Sequence, residues 1–330
     1  MSIAVIGAGA WGTALANVWA MAGKDVTLVC RDEGMAATLR KSRENARYLP
    51  GARLAETLSI TSELDAVAAA SVIAPVVPVQ VMDAVLPDLK TLASDATTLV
   101  LCSKGIHRAL NLSPIGIARQ SGFDDDRIAV LSGPSFAADV VRNKPTAVTL
   151  AMETIENAEA LCGQLSTSTL RLYAEDDTTG VELGGALKNV IALAVGMTRG
   201  LDLGASAEAA LTTRGLVELT TLVVGEGGSA QTCHGLSGLG DLILTCSSSQ
   251  SRNFAYGVAL AQGEDLLNRP LAEGVHTAAM AADMARRQGI AAPIITAVDA
   301  VLRGDLAPAE AAQNLLSRPL KREHDKDTDT

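Results

Sequence analysis

Aromatic residues account for only 2% of this chain of 330 residues, although 48% of its residues are hydrophobic. The hydrophobic share excludes a disordered chain, and the shortage of aromatic side chains means that Ala, Val, Leu and Ile must fill the interior. A chain of this length can form two domains, each with a substantial core. We therefore expect two domains with aliphatic cores.

Cysteine and histidine are also scarce, and neither residue type is patterned. The five cysteines include no Cys-x-x-Cys pair, which argues against a disulfide framework or a zinc ribbon and favours a reducing compartment. The four histidines lack the spacing of metal ligands, so we expect no metal site.

The sequence also lacks long uninterrupted apolar runs. Gly, Pro or charged residues break each run before it could span a bilayer. No basic segment precedes an apolar stretch at the start, so we expect no signal peptide. These features predict a soluble, cytoplasmic protein without membrane insertion.

Basic residues are outnumbered by acidic ones, 27 to 37, which gives a formal net charge of -10. This balance argues against a nucleic-acid partner, because phosphate backbones are bound by clustered Lys and Arg. A small anionic substrate is still compatible with the sequence, because a local basic cluster can exist in an acidic protein.

Short apolar runs alternate with helical patterns in the first half of the chain. Proline at position 75 lies inside one run, where it cannot donate a backbone hydrogen bond. Gly23 ends the first helix, predicted at 11–22. Strands that alternate with helices predict a mostly parallel, doubly wound sheet. The strands are expected at 3–6, 26–30, 72–77, 99–102, 127–131, 147–151 and 169–173.

Helical patterns alone follow residue 176, and the first of them is apolar on nearly every side, as in a buried helix. The predicted fold class is α/β, with an N-terminal Rossmann-type doubly wound sheet in residues 1–175 and an all-α C-terminal domain in residues 176–317. Residues 318–330 are expected to form a charged tail. The helices are predicted at 182–197, 207–224, 253–260, 277–288, 294–303 and 308–316.

A glycine-rich turn, Gly-Ala-Gly-Ala-Trp-Gly at 7–12, follows the first strand and opens the first helix. In this context Gly7 permits the tight turn, Gly9 lets a pyrophosphate approach the backbone, and Gly12 lets the helix pack close to the strand. The N-terminus of the helix offers N–H groups to the phosphates. The motif predicts a dinucleotide cofactor.

The end of the second strand discriminates between the two nicotinamide cofactors. An acidic residue there would bind the ribose 2′-hydroxyl of NAD, whereas arginine would accept the 2′-phosphate of NADP. Arg31 comes first and Asp32 follows. A solvated charge pair at the end of a strand is common and would give the same residues. We interpret the order as favouring NADP, with NAD tolerated.

Lys188 is the most informative charged residue because its flanking residues are apolar. Burial lowers the pKa of a lysine toward the range that is useful for acid–base catalysis. A lysine at the edge of a core helix that extends its ammonium to solvent would give the same pattern. The residues alone leave both interpretations open.

Seven motifs occur in one order, and together they resemble the bacterial NAD(P)-dependent glycerol-3-phosphate dehydrogenases over about residues 3–316. The motifs are the glycine-rich turn at 7–12, Ser-Lys-Gly at 103–105, Gly-Pro-Ser-Phe-Ala at 133–137, Gly-Ala-Leu-Lys-Asn-Val at 185–190, Ala-Leu-Thr-Thr-Arg-Gly-Leu at 210–216, Gly-Leu-Gly-Asp-Leu at 238–242 followed by Thr245 and Cys246, and Ser-Arg-Asn at 251–253.

The resemblance implies NADP(H) or NAD(H) as cofactor, dihydroxyacetone phosphate and sn-glycerol 3-phosphate as substrates, a homodimer, and a supply of glycerol 3-phosphate for phospholipid synthesis. It implies that Lys188 donates and accepts the proton, with Asp241 beside it. The other implied cofactor contacts are Ala10, Trp11, Arg31, Lys104, Ala137, Arg252, Leu271 and Glu273. The implied substrate contacts are Lys104, Gly133, Ser135, Lys188, Asp241, Ser251, Arg252 and Asn253.

The chain departs from the family pattern in places. Val79 follows Pro78, where the family usually has serine, and this puts a polar contact near the cofactor in doubt. Leu271 stands where valine is common. Taken singly, several implied site residues also have ordinary explanations, such as helix caps for Ser135 and Ser251.

Two other functions compete with this interpretation. A two-domain reductase that acts on a keto acid or a 3-hydroxy acid would have the same architecture but needs a carboxylate site. A non-catalytic, cofactor-sensing protein on a Rossmann scaffold has no need for Lys188 beside Asp241. Turnover with matched substrates separates the three possibilities, since fold alone does not decide function.

Overall fold

Eight strands in the first half of the chain form one sheet in the computed structural model, which describes residues 1–267, 269 and 272–319. Leu271 and residues 320–330, most of the expected tail, lie outside the described residues. The strands are β1 (Ser2–Ile6), β2 (Asp25–Val29), β3 (Ser59–Thr61), β4 (Val72–Pro75), β5 (Thr98–Leu101), β6 (Ile128–Ser132), β7 (Thr146–Ala151) and β8 (Leu170–Glu175).

The strand order is β3-β2-β1-β4-β5-β6-β7-β8, and the first six strands are parallel. This is the order of a dinucleotide-binding sheet. The pair β6 and β7 is antiparallel, whereas β7 and β8 are parallel to each other. The α/β, doubly wound fold class is therefore confirmed, with one reversal that the sequence pattern did not show.

The seven predicted strands are present within one or two residues at each end, and β3 was missed. Its three residues are too few to show an alternating pattern. Pro75 ends β4 opposite Ile6, and the next residue, Val76, donates its N–H to the Ile6 carbonyl. The proline therefore costs the sheet little, because it occupies the last position of its strand.

Two layers of helices cover the sheet. On α1, Leu15, Val18 and Trp19 are buried as expected, but Ala22, assigned to the same face, is exposed just beyond the end of the helix. Gly23 follows with a φ of +78°, as the expected stop. The helices are α1 (Ala10–Met21), α2 (Glu33–Ser42), α3 (Met82–Leu92), α4 (Pro114–Gln120), α5 (Ala137–Val140) and α6 (Ile155–Leu165).

The described residues after β8 contain only helices and their connections. They are α7 (Thr178–Gly200), α8 (Ala205–Gly225), α9 (Ala230–Cys233), α10 (Asp241–Cys246), α11 (Arg252–Ala261), α12 (Glu273–Gln288), α13 (Pro293–Arg303) and α14 (Pro308–Leu316), with a π-helical turn at Leu236–Gly240. All six helices expected in this part of the chain are confirmed, although α7 is longer than predicted at both ends and α12 begins at Glu273 rather than at residue 277.

Helix α7 is the central element of this second part. The expectation that every apolar run is too interrupted to span a bilayer is wrong for α7, which is long and apolar enough by length and composition. Protein surrounds it on all sides, as around the core helix of a soluble protein. Glycines let α11 lie against it: a Cβ on Gly257 would be 2.2 Å from the Leu193 carbonyl oxygen, and one on Gly196 2.2 Å from that of Phe254. The close approach fixes α11 relative to α7.

Candidate active site

The glycine-rich turn between β1 and α1 has the shape that a pyrophosphate needs. Gly7 has a φ of +109°, and a Cβ on Gly12 would lie 2.0 Å from the Gly7 carbonyl oxygen, so neither position accepts a side chain. A Cβ on Gly9, by contrast, would have no neighbour within 4 Å. The start of α1 has no side-chain cap, which leaves its N–H groups for an anion.

A distant asparagine supports this turn. The Asn45 amide donates to the Ala8 carbonyl at 3.0 Å and to the Thr13 hydroxyl at 2.8 Å, and it is buried. Trp11, half-buried in the first turn of α1, and Ala137, at the start of α5, pack against the same core, as does Ala10. The expected cofactor contacts Ala10, Trp11 and Ala137 thus lie on two helices that touch each other.

An arginine and an aspartate, Arg31 and Asp32, follow the end of β2, and the aspartate caps the next helix. Asp32 caps α2, accepting from the Met35 N–H at 2.9 Å. Arg31 is exposed and forms no ion pair with any residue that the structure describes. The Arg31 side chain is therefore available to a cofactor ribose, whereas one oxygen of Asp32 is committed to the cap.

Two lysines and one aspartate form the centre of the site. Lys188, in the middle of α7, donates to Asp241 Oδ1 at 2.9 Å and to the Thr245 hydroxyl at 2.6 Å. Lys104, after β5, donates to Asp241 Oδ2 at 2.6 Å and to the Gly133 carbonyl at 3.2 Å. An ammonium has three N–H groups, so Lys188 keeps one for a ligand.

Burial and shared charge set the protonation of this cluster. The side chains of Lys188 and Asp241 are only 8% and 4% exposed. Burial lowers the pKa of Lys188 to about 8; Asp241 opposes that shift, and the Lys104 charge adds to it. The ammoniums of Lys104 and Lys188 outweigh burial and hold the pKa of Asp241 below its ordinary value. Asp241 is thus charged, while Lys188 can gain or lose a proton near neutral pH.

The turn after β6 lies beside Lys104 and contacts it. Gly133 has a φ of +153°, and a Cβ there would lie 2.8 Å from the Val148 Cα, so the position requires glycine. Its carbonyl accepts from Lys104 and also from the Ser135 hydroxyl at 3.1 Å. The expected substrate contacts Gly133 and Ser135 are therefore joined directly to Lys104.

The Ser-Arg-Asn motif begins α11. Ser251 caps the helix through the Phe254 N–H at 3.2 Å, which is the ordinary role considered for it. The backbone N–H groups of Arg252 and Asn253 lie in the first turn of the helix, where an N–H has no carbonyl acceptor within the helix. They have no other acceptor among the described residues. With the exposed Arg252 side chain, they make an N-terminus suited to an anion.

Glu273 begins α12, and its Oε2 is buried without a hydrogen-bond partner among the described residues. Burial raises the pKa of Glu273 to about 7, opposed by Arg252. A Cβ on Gly105 would lie 3.3 Å from that oxygen and 3.6 Å from Val79 Cγ2. Val79 is completely buried, so it packs beneath the Ser-Lys-Gly loop and provides no polar contact.

Three polar residues of this region were given no role by the sequence. Thr245 had a usable signal, since it lies four residues after Asp241 on one helix and therefore on the same face. Asn189 follows Lys188 in an apolar helix, where a buried amide needs a partner. Asn45 had no local signal, because its partners lie at least 32 residues away in the sequence.

Comparison with known proteins places both halves of the chain in one group. Residues 2–158 match the N-terminal family model of NAD-dependent glycerol-3-phosphate dehydrogenase, and residues 177–313 match the C-terminal model. The chain is 49% identical to the glycerol-3-phosphate dehydrogenase [NAD(P)+] of Chelativorans sp. over 98% of both chains, and 48% identical to that of Brucella canis over 97% of this chain and 98% of the relative.

A solved structure shows the same architecture. The glycerol-3-phosphate dehydrogenase of Coxiella burnetii is similar to this chain with a TM-score of 0.89 and 36% identity, over 96% of this chain and 99% of the other. The likeness extends through the sheet and the helices that follow it.

Proposed function

Because the chain belongs to the NAD-dependent glycerol-3-phosphate dehydrogenase family, we propose a specific mechanism for its NAD(P)-dependent interconversion of dihydroxyacetone phosphate and glycerol 3-phosphate. The observation that carries it is the buried Lys188 ammonium, which Asp241 and Thr245 hold with one N–H uncommitted. An ammonium so oriented can donate a proton to an oxygen that develops negative charge.

The nicotinamide, when bound, supplies the hydride to C2 or accepts it. In the direction of reduction, Lys188 donates its proton to the C2 oxygen, and in the direction of oxidation the neutral amine accepts the hydroxyl proton. Asp241 orients the lysine in both directions, because the Lys104 ammonium, together with Lys188 when that residue is protonated, keeps the pKa of Asp241 low. The pKa of Lys188, about 8, lies close enough to neutrality to serve both.

The glycine-rich turn, Ala10, Trp11, Ala137 and Arg31 are the proposed cofactor side of the site. Gly9 leaves open space beside the uncapped N-terminus of α1, which fits the pyrophosphate. Arg31 is available for a 2′-phosphate while Asp32 is engaged as a cap, so we propose NADP(H) as the preferred cofactor with NAD(H) accepted. Glu273, whose buried oxygen has no hydrogen-bond partner in the part of the chain that the structure describes, is the proposed contact on α12.

The start of α11 is the proposed phosphate site. Arg252 contributes a planar, permanently charged donor, and the first N–H groups of the helix add neutral donors. Ser251 shapes the site as the cap, and Asn253 lies beside it. Lys104, Gly133 and Ser135, the other proposed substrate contacts, are bonded to one another, and Lys104 shares Asp241 with Lys188. A phosphate held here positions the small ketone for proton transfer.

We further propose that residues 1–175 bind the cofactor and that residues 176–317 complete the substrate site. The resemblance also supports a cytoplasmic homodimer that supplies glycerol 3-phosphate to phospholipid synthesis. Light scattering of the purified protein tests the dimer, and glycerol auxotrophy of a deletion strain tests the metabolic role.

Oxidation of NADPH, and separately of NADH, by the purified protein with dihydroxyacetone phosphate tests the function. Lys188→Ala should bind NADPH as the wild type does but lose roughly two to four orders of magnitude in turnover, the usual contribution of a general acid. A keto acid of similar size should not be reduced at a comparable rate. Near-normal turnover by the variant would show that Lys188 is not the proton donor.

A further inference from the structure

A buried chain of amide hydrogen bonds connects three helices beside the site. Asn253 on α11 donates from Nδ2 to Asn189 Oδ1 on α7 at 2.9 Å, and the Gly274 N–H in the first turn of α12 donates to Asn253 Oδ1 at 2.9 Å. Asn189 and Asn253 are 4% and 9% exposed. A buried amide that lacks a hydrogen-bond partner destabilises the folded state, so the fold favours the arrangement in which these amides are paired.

The backbone of α12 fixes the direction of these bonds. A backbone N–H can only donate, so the Asn253 atom that faces Gly274 must be the carbonyl oxygen. The Asn253 amino group therefore faces Asn189, and its second N–H is left uncommitted within the described residues. Because Asn189 Oδ1 accepts, the Asn189 amino group turns back toward the Gly185 carbonyl at 3.5 Å.

The same junction is also closely packed. A Cβ on Gly274 would lie 2.6 Å from the Asn189 carbonyl oxygen and 2.9 Å from Asn253 Oδ1. The first turn of α12 is thus pressed against the backbone of α7 at the residue after Lys188. Glu273, the residue before Gly274, enters the site from this turn.

We propose that Asn189 is a positioning residue, which holds the Asn253 amide for the substrate phosphate and, through Asn253 and Gly274, holds Glu273 for the cofactor. Asn189 acts through other residues and touches neither ligand itself. The inference rests on the proposed roles of Asn253 and Glu273. Its consequence is that one buried amide serves both binding sites.

A double-variant cycle tests this arrangement. Asn189→Ala and Asn253→Ala should each reduce kcat/KM for dihydroxyacetone phosphate by roughly tenfold, mainly through KM, as expected for the loss of a buried hydrogen bond near a charged ligand. If Asn189 acts through Asn253, the double variant should be no more than about twofold worse than Asn253→Ala. Effects that multiply to roughly 100-fold would overturn the proposal.

Two further measurements separate positioning from general structural damage. NADPH affinity, titrated by fluorescence, should fall by a similar factor in both single variants and should not fall further in the double variant. The pH profile of kcat should stay in place, because the Lys188 bonds are separate. A moved profile, or unchanged NADPH affinity, would contradict the proposal.

Thr198→Ala is the matched control. Thr198 is a buried polar residue of the same helix. Within the described residues its hydroxyl bonds only to the Ala194 carbonyl, so its loss should leave both affinities unchanged. If Asn189→Ala does not fold, Asn189→Ser provides the milder variant for the same cycle. Should the wild type fail to reduce dihydroxyacetone phosphate, the proposed function fails, while the NADPH arm of the cycle still tests the amide chain.

Discussion

Lys104 and Lys188 donate to the two oxygens of a single carboxylate, at 2.6 Å and 2.9 Å, so two ammonium groups share one negative charge. That charge can neutralise only one of them. Burial is the main cause that lowers the pKa of Lys188 to about 8, and the positive charge of Lys104 lowers it further. Unlike burial, that charge can be removed by a substitution.

Replacing Lys104 should move the pH dependence of reduction. Reduction needs the Lys188 ammonium, so kcat/KM of the wild type should fall as the pH rises through about 8. Lys104→Met removes a positive charge, raises the pKa of Lys188 and should shift that decline to higher pH. Lys104→Arg keeps the charge and should leave the decline near its wild-type position. The measurement is the position of the alkaline limb, and an unmoved limb in Lys104→Met would contradict the shared-charge account.

Arg31→Ala should discriminate between the cofactors. Loss of a charged donor to the 2′-phosphate should raise the KM for NADPH by about tenfold or more and leave the KM for NADH nearly unchanged. Lys41→Ala, which removes an exposed cation at the far end of α2, should change neither value. Equal losses for NADPH and NADH would remove Arg31 from the proposed role.

Arg252→Ala should affect the phosphorylated substrate selectively. We expect kcat/KM for dihydroxyacetone phosphate to fall roughly 100-fold, the loss expected for charge-assisted bonds to phosphate. The slow reduction of unphosphorylated dihydroxyacetone should barely change. Phosphite added to that truncated substrate should activate the wild type but not the variant. Proportional losses for both substrates would instead favour a structural or cofactor role for Arg252.

Glu218 should make the protein less stable as the pH rises. Its buried carboxylate accepts from the Ile294 and Ile295 N–H groups at the start of α13, and burial raises its pKa to about 7. The folded state then binds more protons than the unfolded state between about pH 4.5 and 7, so stability is greatest at the acid side and declines through that window.

The variant Glu218→Gln removes this titration while keeping an acceptor. Its Tm should decline less than that of the wild type between pH 5 and pH 8, when both are measured by circular dichroism. Glu182 on α7 accepts from the Ile115 N–H at the start of α4, is buried, titrates in the same direction and should preserve part of the slope. Glu153→Gln, at an exposed position, is the control and should retain the full wild-type decline. Parallel curves for Glu218→Gln and the wild type would contradict the assignment.

Most of the fold could be predicted because its signals are local. Apolar runs of four to six residues marked seven strands, and the glycine-rich turn marked the start of α1. The antiparallel step from β6 to β7 had no signal, since strand direction depends on how a connection crosses the sheet. Strand β3 was too short to form a pattern.

Prediction of the site residues had a different limit. Motifs identified Lys188 and Asp241 individually, but their contact joins residues 53 positions apart and depends on α7 meeting α10. The role of Asn253 shows the same limit, because its partners Asn189 and Gly274 come from two other helices. Residue types can suggest chemistry, whereas the pairing of buried amides follows from tertiary packing.

The antiparallel direction of β7 determines how many residues of α7 are needed to reach the end of β6. Since β7 and β8 run against the first six strands, the chain leaves β8 away from the edge where β6 ends. Seven residues carry α7 from Thr178 to Gly185, about 10 Å of helix, and a Cβ on Gly185 would lie 2.5 Å from the hydroxyl oxygen of Ser132, the last residue of β6. Lys188 follows almost one turn later. The number of residues between the start of α7 and Gly185 therefore determines where Lys188 lies. One residue inserted before Gly185 would rotate Lys188 by about 100° around the helix axis and turn the ammonium away from the Asp241 carboxylate.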